Sequence, residues 1–225
     1  MKKITLFILT LFAFNSTLFA KKNNNTFVEM KTNKGTIVLE VFSDVSQHSE
    51  NFLKLVKENF YDSLLFHRVI PQFMIQGGDP NSKDALVGQF LGNGDIGYKI
   101  PAEIMIPTHF HKKGALAAAR DNNPDKASSA CQFYIVVGKI FNDDQLNSME
   151  SNTGIKYTEE MRNAYKTVGG TPHLDGGYTV FGQTVEGQEI VDEISDVSRD
   201  ASDRPKEDVM ILSTKILKKW KPKKS

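Results

Sequence analysis

Apolar and polar residues alternate near the start of the chain in the way that is typical of a β-hairpin. Two runs, 27–32 and 36–42, flank the turn sequence Asn-Lys-Gly, and isoleucine, leucine and valine occupy every second position from 37 to 41. A period of two places these side chains on one face of a strand. We therefore expect a hairpin with one face on a core.

Helical spacing replaces this alternation in two other segments, 46–60 and 188–197. Their apolar residues recur three and four positions apart: Phe52, Leu55, Val56 and Phe60 in the first, and Ile190, Val191, Ile194 and Val197 in the second. Such spacing gathers apolar side chains into a stripe along one side of a helix. Both segments are predicted to be amphipathic helices.

Short apolar runs predict the remaining strands. They cover residues 64–79, 113–119, 132–137, 178–185 and 209–217, and the first holds a strand pair that ends in two glycines. Glycine-rich residues 88–97 and polar residues 120–129 are expected to be loops. The predicted fold is mainly β, with about eight short strands and two main helices.

A polar segment at about 142–168 interrupts this order. It carries Met149, Met161 and Tyr165 at helix-compatible positions, so we expect an inserted helical loop. Three interpretations of this insertion remain open: it binds a partner, it controls access to a nearby site, or it has no function.

Composition and charge exclude several classes of protein. The chain has 225 residues, is 40% hydrophobic and contains 15 Phe, which suits one domain with a substantial core. A formal charge of +1 gives no overall field for binding nucleic acid or anionic lipid, and the lysine-rich tail 218–225 is expected to be a solvated end. The single cysteine, Cys131, excludes an internal disulfide and a zinc ribbon.

The N-terminus has the layout of a secretory signal peptide. Lys2 and Lys3 precede an uncharged apolar run, 4–14, and a more polar stretch that ends at Ala20. The run is shorter than the approximately 20 residues of a membrane span. We expect cleavage near Ala20, no stable membrane insertion afterwards, a linker at 21–26 and a domain at 27–217. The periplasm is the expected location, with secretion beyond it or an uncleaved N-terminal tether as alternatives.

The common catalytic motifs are missing from the sequence. It contains no GxSxG elbow, Walker loop, HExxH or helix-opening GxGxxG. His109 and His111 are close in sequence but lack an evident third metal ligand, so surface or supporting roles are favoured over a metal site. Cys131 lies at the start of an apolar strand, where a small buried side chain is the expected role.

Arg68 stands out because it lies within an apolar strand. If residues 66–70 form one strand, Arg68 shares the apolar face with Phe66 and Ile70. The spacing alone leaves two interpretations open: a functional guanidinium in a partly desolvated site, or a buried ion pair with Asp79 or Glu103.

Residues 66–79, FHRVIPQFMIQGGD, resemble the signature of the cyclophilins, the cyclosporin-binding class of peptidyl-prolyl cis-trans isomerases. Residues 97–103, 113–120, 129–135 and 173–182 resemble bacterial members in the same order. The resemblance runs from about Phe27 to Leu217. It implies an eight-stranded antiparallel closed β-barrel capped by two α-helices, in agreement with the elements predicted above.

The resemblance also assigns roles to single residues. Arg68 takes the place of the catalytic arginine, and Gln76 acts beside it. The substrate-binding residues would be Phe73, Met74, Ala119, Arg120, Gln132, Tyr134, His173, Leu174 and Tyr178. Among these, the proline pocket would be lined by Phe73, Met74, Tyr134 and Leu174, while Gln76 and Gln132 supply side-chain hydrogen bonds and Ala119 and Arg120 present backbone groups to the peptide.

The implied reaction needs no cofactor and no metal. An Xaa-Pro bond isomerises over a barrier of about 18–20 kcal/mol because rotation breaks amide resonance, and no group is transferred. In the twisted state the prolyl nitrogen regains a lone pair, which the Arg68 guanidinium can bind more strongly than the planar amide. The expected partners are flexible, proline-containing polypeptides of exported proteins, and we expect a monomer.

Three positions depart from the common family pattern. His173 stands where many members have tryptophan, so we expect weak cyclosporin binding with isomerase activity retained. Tyr134 replaces a common phenylalanine, and Tyr178 a common histidine. Two other functions remain as alternatives: a non-catalytic proline-peptide-binding module or holdase chaperone, and a metal-dependent envelope hydrolase built on His109 and His111.

Overall fold

The hairpin predicted at the start of the domain forms part of an eight-stranded antiparallel sheet. The computed structural model describes residues 24–222, so the predicted signal peptide and the last three residues of the tail lie outside it. The strands are β1 (Thr26–Thr32), β2 (Gly35–Val41), β3 (Arg68–Ile70), β4 (Met74–Gly77), β5 (Lys99–Ile100), β6 (Ala115–Ala118), β7 (Ser128–Ser129), β8 (Phe133–Val136), β9 (Val180–Glu186) and β10 (Ile211–Leu217). The order across the sheet is β10-β1-β2-β9-β6-β8-β4-β3.

The two edges of this sheet, β3 and β10, meet through the segment that precedes β3. Leu65 forms a β-bridge with Met210, and the backbone N–H of Ser63 donates to the carbonyl of Ile211 at 2.8 Å. The expected barrel is therefore confirmed in outline, although a short bridge replaces a continuous ladder at one seam. The small strands β5 and β7 pair with each other, so the predicted loop 120–129 contains one strand that the sequence did not indicate.

Alternation along the strands separates the barrel interior from the outer face. In β4, Ile75 belongs to the interior core and Met74 to a second apolar cluster outside it. In β8, Phe133 and Ile135 face inwards while Tyr134 joins the outer cluster. The outer face of β4, β6 and β8 carries the candidate site.

In the described part of the chain, four α-helices accompany the sheet: α1 (Ser46–Lys57), α2 (Asp143–Thr153), α3 (Glu159–Thr167) and α4 (Gln188–Ser195). Phe52 of α1 and Ile194 of α4 lie in the interior core, as their spacing predicted. Helix α1 ends before Phe60 because Asn59 adopts a left-handed backbone with φ of 55°. No helix within residues 24–222 combines the length and apolar character needed to cross a bilayer.

The predicted insertion is a pair of helices with a core of its own. A capping box between Asn142 and Gln145 starts α2, and the Thr158 side chain caps α3. Leu146, Met161 and Tyr165 pack with Tyr157 of the insertion itself and with Phe110 and Phe141 of the barrel loops beside it. Close backbone contact fixes it there, since a Cβ on Gly138 or Gly170 would overlap neighbouring backbone atoms.

Candidate active site

A cavity of about 110 Å³ opens on the outer face of the barrel and is called the central cavity below. Nine of the residues predicted for the site line it together: Arg68, Phe73, Met74, Gln76, Ala119, Arg120, Tyr134, Leu174 and Tyr178. Gln132 and His173, the other two predicted residues, lie on either side of it.

Strand register explains how distant residues meet at this cavity. Arg68 of β3 lies opposite Gln76 of β4, which lies opposite Tyr134 of β8, which lies opposite Ala117 of β6. Side chains that are directly opposite on neighbouring strands point to the same face. The register therefore places arginine, glutamine and tyrosine side by side across the cavity.

Arg68 lies on the outer face of the barrel and is half-buried. The expectation that it shares one face with Phe66 is wrong. Phe66 belongs to the interior core, and β3 begins only at Arg68, so the alternation assumed between these two residues does not hold. The inward position in β3 belongs to Val69. Ile70 does share the face of Arg68, since it packs against the outer cluster.

No acidic side chain in the described chain lies within 4.0 Å of the Arg68 guanidinium. Asp79, one predicted partner, accepts from the backbone N–H of Asn81 at 2.7 Å. Glu103, the other, accepts from the His48 ring at 2.6 Å. The interpretation of Arg68 as half of a buried ion pair is therefore wrong.

A relay of amide side chains orients Arg68. The Gln132 amide donates to the carbonyls of Gly92 and Gly94 at 3.0 and 2.7 Å, so its oxygen must face away from them. That oxygen accepts from Gln76 Nε2 at 3.0 Å, which turns Gln76 Oε1 towards Arg68 Nη1 at 3.4 Å. Because the loop carbonyls can only accept, they fix the orientation of the whole relay.

The floor of the cavity is tied to a buried polar network. The Tyr134 hydroxyl lies 2.9 Å from His111 Nε2, and His111 Nδ1 lies 2.8 Å from Asp175 Oδ1. Tyr165, from α3 of the insertion, donates its hydroxyl to Asp175 Oδ2 at 2.5 Å. Burial, with a smaller effect of Tyr178 and Asp175, raises the pKa of Tyr134 well above its usual value, so its hydroxyl stays protonated.

Arg120 forms one rim of the central cavity. Its guanidinium lies 4.7 Å from the Tyr178 ring centroid and donates to the Gly177 carbonyl at 2.8 Å. Across residues 24–222, the backbone N–H and C=O of Arg120 make no hydrogen bond. They are therefore free to pair with an extended chain laid along the rim. The same expectation is wrong for Ala119, whose backbone N–H donates to the Gln132 carbonyl at 2.9 Å and whose carbonyl accepts from the Ser129 N–H at 2.8 Å.

Three larger depressions adjoin the central cavity; one of about 350 Å³ lies beside Arg68, between the 88–93 loop and residues 200–204, and the other two flank the cavity. The glycine-side groove, about 450 Å³, runs along the loop at 92–95 and shares Gln76, Ala119 and Arg120 with the central cavity. The insertion-side groove, about 440 Å³, lies on the other side and shares Phe73. His173 lines this second groove, with its ring centroid 5.5 Å from that of Phe73.

The histidines considered as metal ligands lie apart from each other. His109 stacks on Phe42 with its Nε2 2.9 Å from Asp44, whereas His111 is buried behind Tyr134. The part of the chain described by the structure holds no group of three or more potential metal ligands of the His, Cys, Asp or Glu type. Cys131 is buried, as its place at the start of a strand predicted, and burial raises the pKa of its thiol.

Two features of the site have no signal in the sequence. Asp175 joins His111 and Tyr165 in one network, but the three residues lie on separate segments and no spacing links them. The carbonyls of Gly92 and Gly94 lie in a glycine-rich loop, where composition does not indicate which backbone groups accept from Gln132.

Comparisons with known proteins agree with this fold. The family model described as cyclophilin type peptidyl-prolyl cis-trans isomerase/CLD matches residues 27–216. A putative peptidyl-prolyl cis-trans isomerase of Staphylococcus haemolyticus is 34% identical over 196 residues, which cover 87% of this chain and 93% of the relative.

Solved structures give the same architecture. A cyclophilin type isomerase of Cryptosporidium parvum superposes with a TM-score of 0.62 at 24% identity, covering 87% of this chain and 99% of the other. A second crystal structure of that protein, in the presence of the dipeptide Ala-Pro, gives a TM-score of 0.61 at 24% identity and covers 86% of this chain and 99% of the other. Since the family model spans nearly the whole described chain, the chain belongs to the cyclophilin-type peptidyl-prolyl cis-trans isomerases.

Proposed function

We propose that the central cavity holds the ring of a substrate proline while Arg68 stabilises the twisted prolyl amide. The observation that carries this proposal is a guanidinium at the mouth of a cavity that Phe73, Met74 and Leu174 help to line, oriented by Gln76 and paired with no acid of the described residues. In the planar amide the nitrogen lone pair is delocalised, and rotation restores it. A donor aimed at that nitrogen therefore binds the twisted state more strongly than either planar isomer.

The neighbouring groups confine the rotation to one bond. Phe73, Met74 and Leu174 offer apolar contact to the ring, and the free backbone groups of Arg120 can hold the residues that precede the proline. Gln76 has a second amide N–H beyond the one given to Gln132, which is available to the preceding carbonyl. Partial removal of water around Arg68 strengthens its hydrogen bond to the nitrogen.

The test is the cis-to-trans rate of an Ala-Pro peptide, measured by NMR exchange with the wild type and with Arg68→Ala. Loss of one positioned donor costs about 100-fold or more in rate, so kcat/KM should fall by about 100-fold. Arg68→Lys should also be poor, because a point charge does not reproduce the planar guanidinium. Arg199→Ala, which removes an exposed arginine paired with Asp203, is the matched control and should keep full activity.

Full activity in folded Arg68→Ala would contradict the mechanism. A folded wild type that binds the peptide but does not accelerate it would favour the non-catalytic binding module or holdase.

We also propose that the chain acts on proteins exported from the cell, because residues 1–20 have the layout of a signal peptide. Uncatalysed prolyl isomerisation takes tens of seconds, which is slow enough to delay folding after export. Expression of the full chain with a C-terminal tag, followed by fractionation and mass determination, tests this. Tagged protein that retains residues 1–20 in the cytoplasm would contradict it.

A further inference from the structure

The insertion-side groove combines an apolar lining with one cation at its rim. Ile70, Pro71 and Phe73 from the barrel face Phe141 and Met149 from the insertion and its approach. Lys139 stands at the edge, with Nζ 5.5 Å from the centroid of the Phe141 ring. A depression of about 440 Å³ with such a lining suits a large aliphatic or aromatic side chain.

This groove continues from the central cavity. Phe73 lines both depressions, and Arg120 lies on the other side of the central cavity, beside the glycine-side groove. If the backbone of Arg120 holds the residues before the proline, a chain that continues straight across the central cavity leaves on the opposite side, past Phe73 and His173. Phe73 is the one residue that lines both depressions, so they adjoin across a single side chain, and an extended chain advances about 3.3–3.6 Å per residue. The first or second residue after the proline therefore reaches the groove.

We propose that the insertion-side groove is a specificity subsite for a large apolar side chain at one of the two positions that follow the proline. This inference rests on the proposed function, since it uses the same cavity and the same direction of the bound chain. It gives the insertion a role in choosing which prolines are isomerised, rather than in the isomerisation itself.

Met149 is the residue through which the insertion makes this contact. Helix α2 is held in place by Leu146, which is fully buried, so Met149 is presented from a fixed support. Met149 itself is half-buried at the groove wall. Its flexible, polarizable side chain can adapt to aliphatic and aromatic partners alike.

The experiment compares kcat/KM for peptides Ala-Ala-Pro-Ala-Ala in which leucine or lysine replaces alanine at either position after the proline. Wild type should prefer leucine over alanine at one of these positions by about 10-fold, the lower end of discrimination in apolar pockets. Met149→Glu places a carboxylate in the groove, so the leucine preference should fall to about 2-fold and lysine should become favoured over alanine. Ser151→Glu, an exposed position on the opposite side of α2, adds the same charge and should retain the wild-type ratios.

Each ratio is taken within one variant, so a general change in activity cancels. If Met149→Glu does not fold, Lys139→Glu offers the same test from the exposed rim of the groove. Equal rates for leucine and alanine peptides with wild type would overturn the subsite, as would identical ratios in the groove variant and in Ser151→Glu. No acceleration of any peptide is a different outcome, which defeats the proposed function and the subsite with it.

Discussion

Tyr165→Phe should destabilise the protein because it removes one donor from a fully buried carboxylate. Asp175 accepts from the His111 backbone N–H at 3.0 Å, from His111 Nδ1 at 2.8 Å and from the Tyr165 hydroxyl at 2.5 Å. Phenylalanine preserves the ring contact with Phe110, whose centroid lies 5.5 Å away, so the change isolates the hydrogen bond. A hydrogen bond to a charged group contributes about 1.5–3 kcal/mol, and we expect a loss of about 2 kcal/mol in the free energy of unfolding.

Urea unfolding at pH 7 measures this loss, with an unchanged m-value as the sign that both unfolding reactions expose the same surface. For a chain of this length, 2 kcal/mol corresponds to a decrease of about 4–8 °C in Tm. Tyr157→Phe is the matched control, since the Tyr157 hydroxyl donates to the neutral carbonyl of Pro172 at 3.1 Å. This control should lose about 1 kcal/mol.

The reasoning is refuted if Tyr165→Phe costs no more than Tyr157→Phe. A double-mutant cycle with Tyr134→Phe extends the test to the cavity floor. Because Tyr134 and Tyr165 contact the same His111–Asp175 pair, their changes should couple by about 0.5 kcal/mol or more. Strict additivity would mean that the insertion and the cavity floor do not share one network.

Three further predictions concern other parts of the molecule. Burial lowers the pKa of His67 to about 4, so the unfolded chain takes up the proton first as the pH falls from about 6.5. The wild type should therefore lose stability as the pH falls from 7 to 4, and His67→Leu should lose about 3 kcal/mol less of its free energy of unfolding over the same range. Urea unfolding at both pH values measures this, and equal losses in the two proteins would contradict it. Gln132→Leu breaks the relay that orients Gln76 and Arg68, so kcat/KM for an Ala-Pro peptide should fall by about 10-fold with the fold intact, and an unchanged value would exclude a positioning role. Gly170→Ala should destabilise the protein by more than about 1 kcal/mol in urea because its Cβ would overlap the His111 carbonyl, and wild-type stability would show that this backbone contact yields easily.

Periodicity alone predicted most of the fold because strands and helices bury regular faces. The alternation in β2 and the helical spacing in α1 placed their apolar residues in the interior core as expected. The prediction was wrong at Arg68, where β3 begins abruptly after Phe66 and the period of two does not extend across the break. Irregular backbone carries no periodic signal, so a face cannot be assigned across it.

The residues of the candidate site were found through resemblance, and the strand register then brought them together. The register pairs Arg68, Gln76 and Tyr134 across three strands, which no local pattern in the sequence shows. The His111–Asp175 pair was missed for the same reason, since a hydrogen bond between distant segments depends on the tertiary structure alone. The insertion was predicted as a helical excursion, but its link to the cavity floor through Tyr165 was not.

The pairing of β1 with β10 has a consequence for how the chain is made. Phe27 lies opposite Leu217, and the register continues along both strands. During synthesis, β1 can therefore pair with β10 only after almost the entire domain has left the ribosome. Contacts between such distant residues slow folding, because a long loop must close before they form. A nascent chain of this design therefore keeps β1 as an open sheet edge until its last strand arrives.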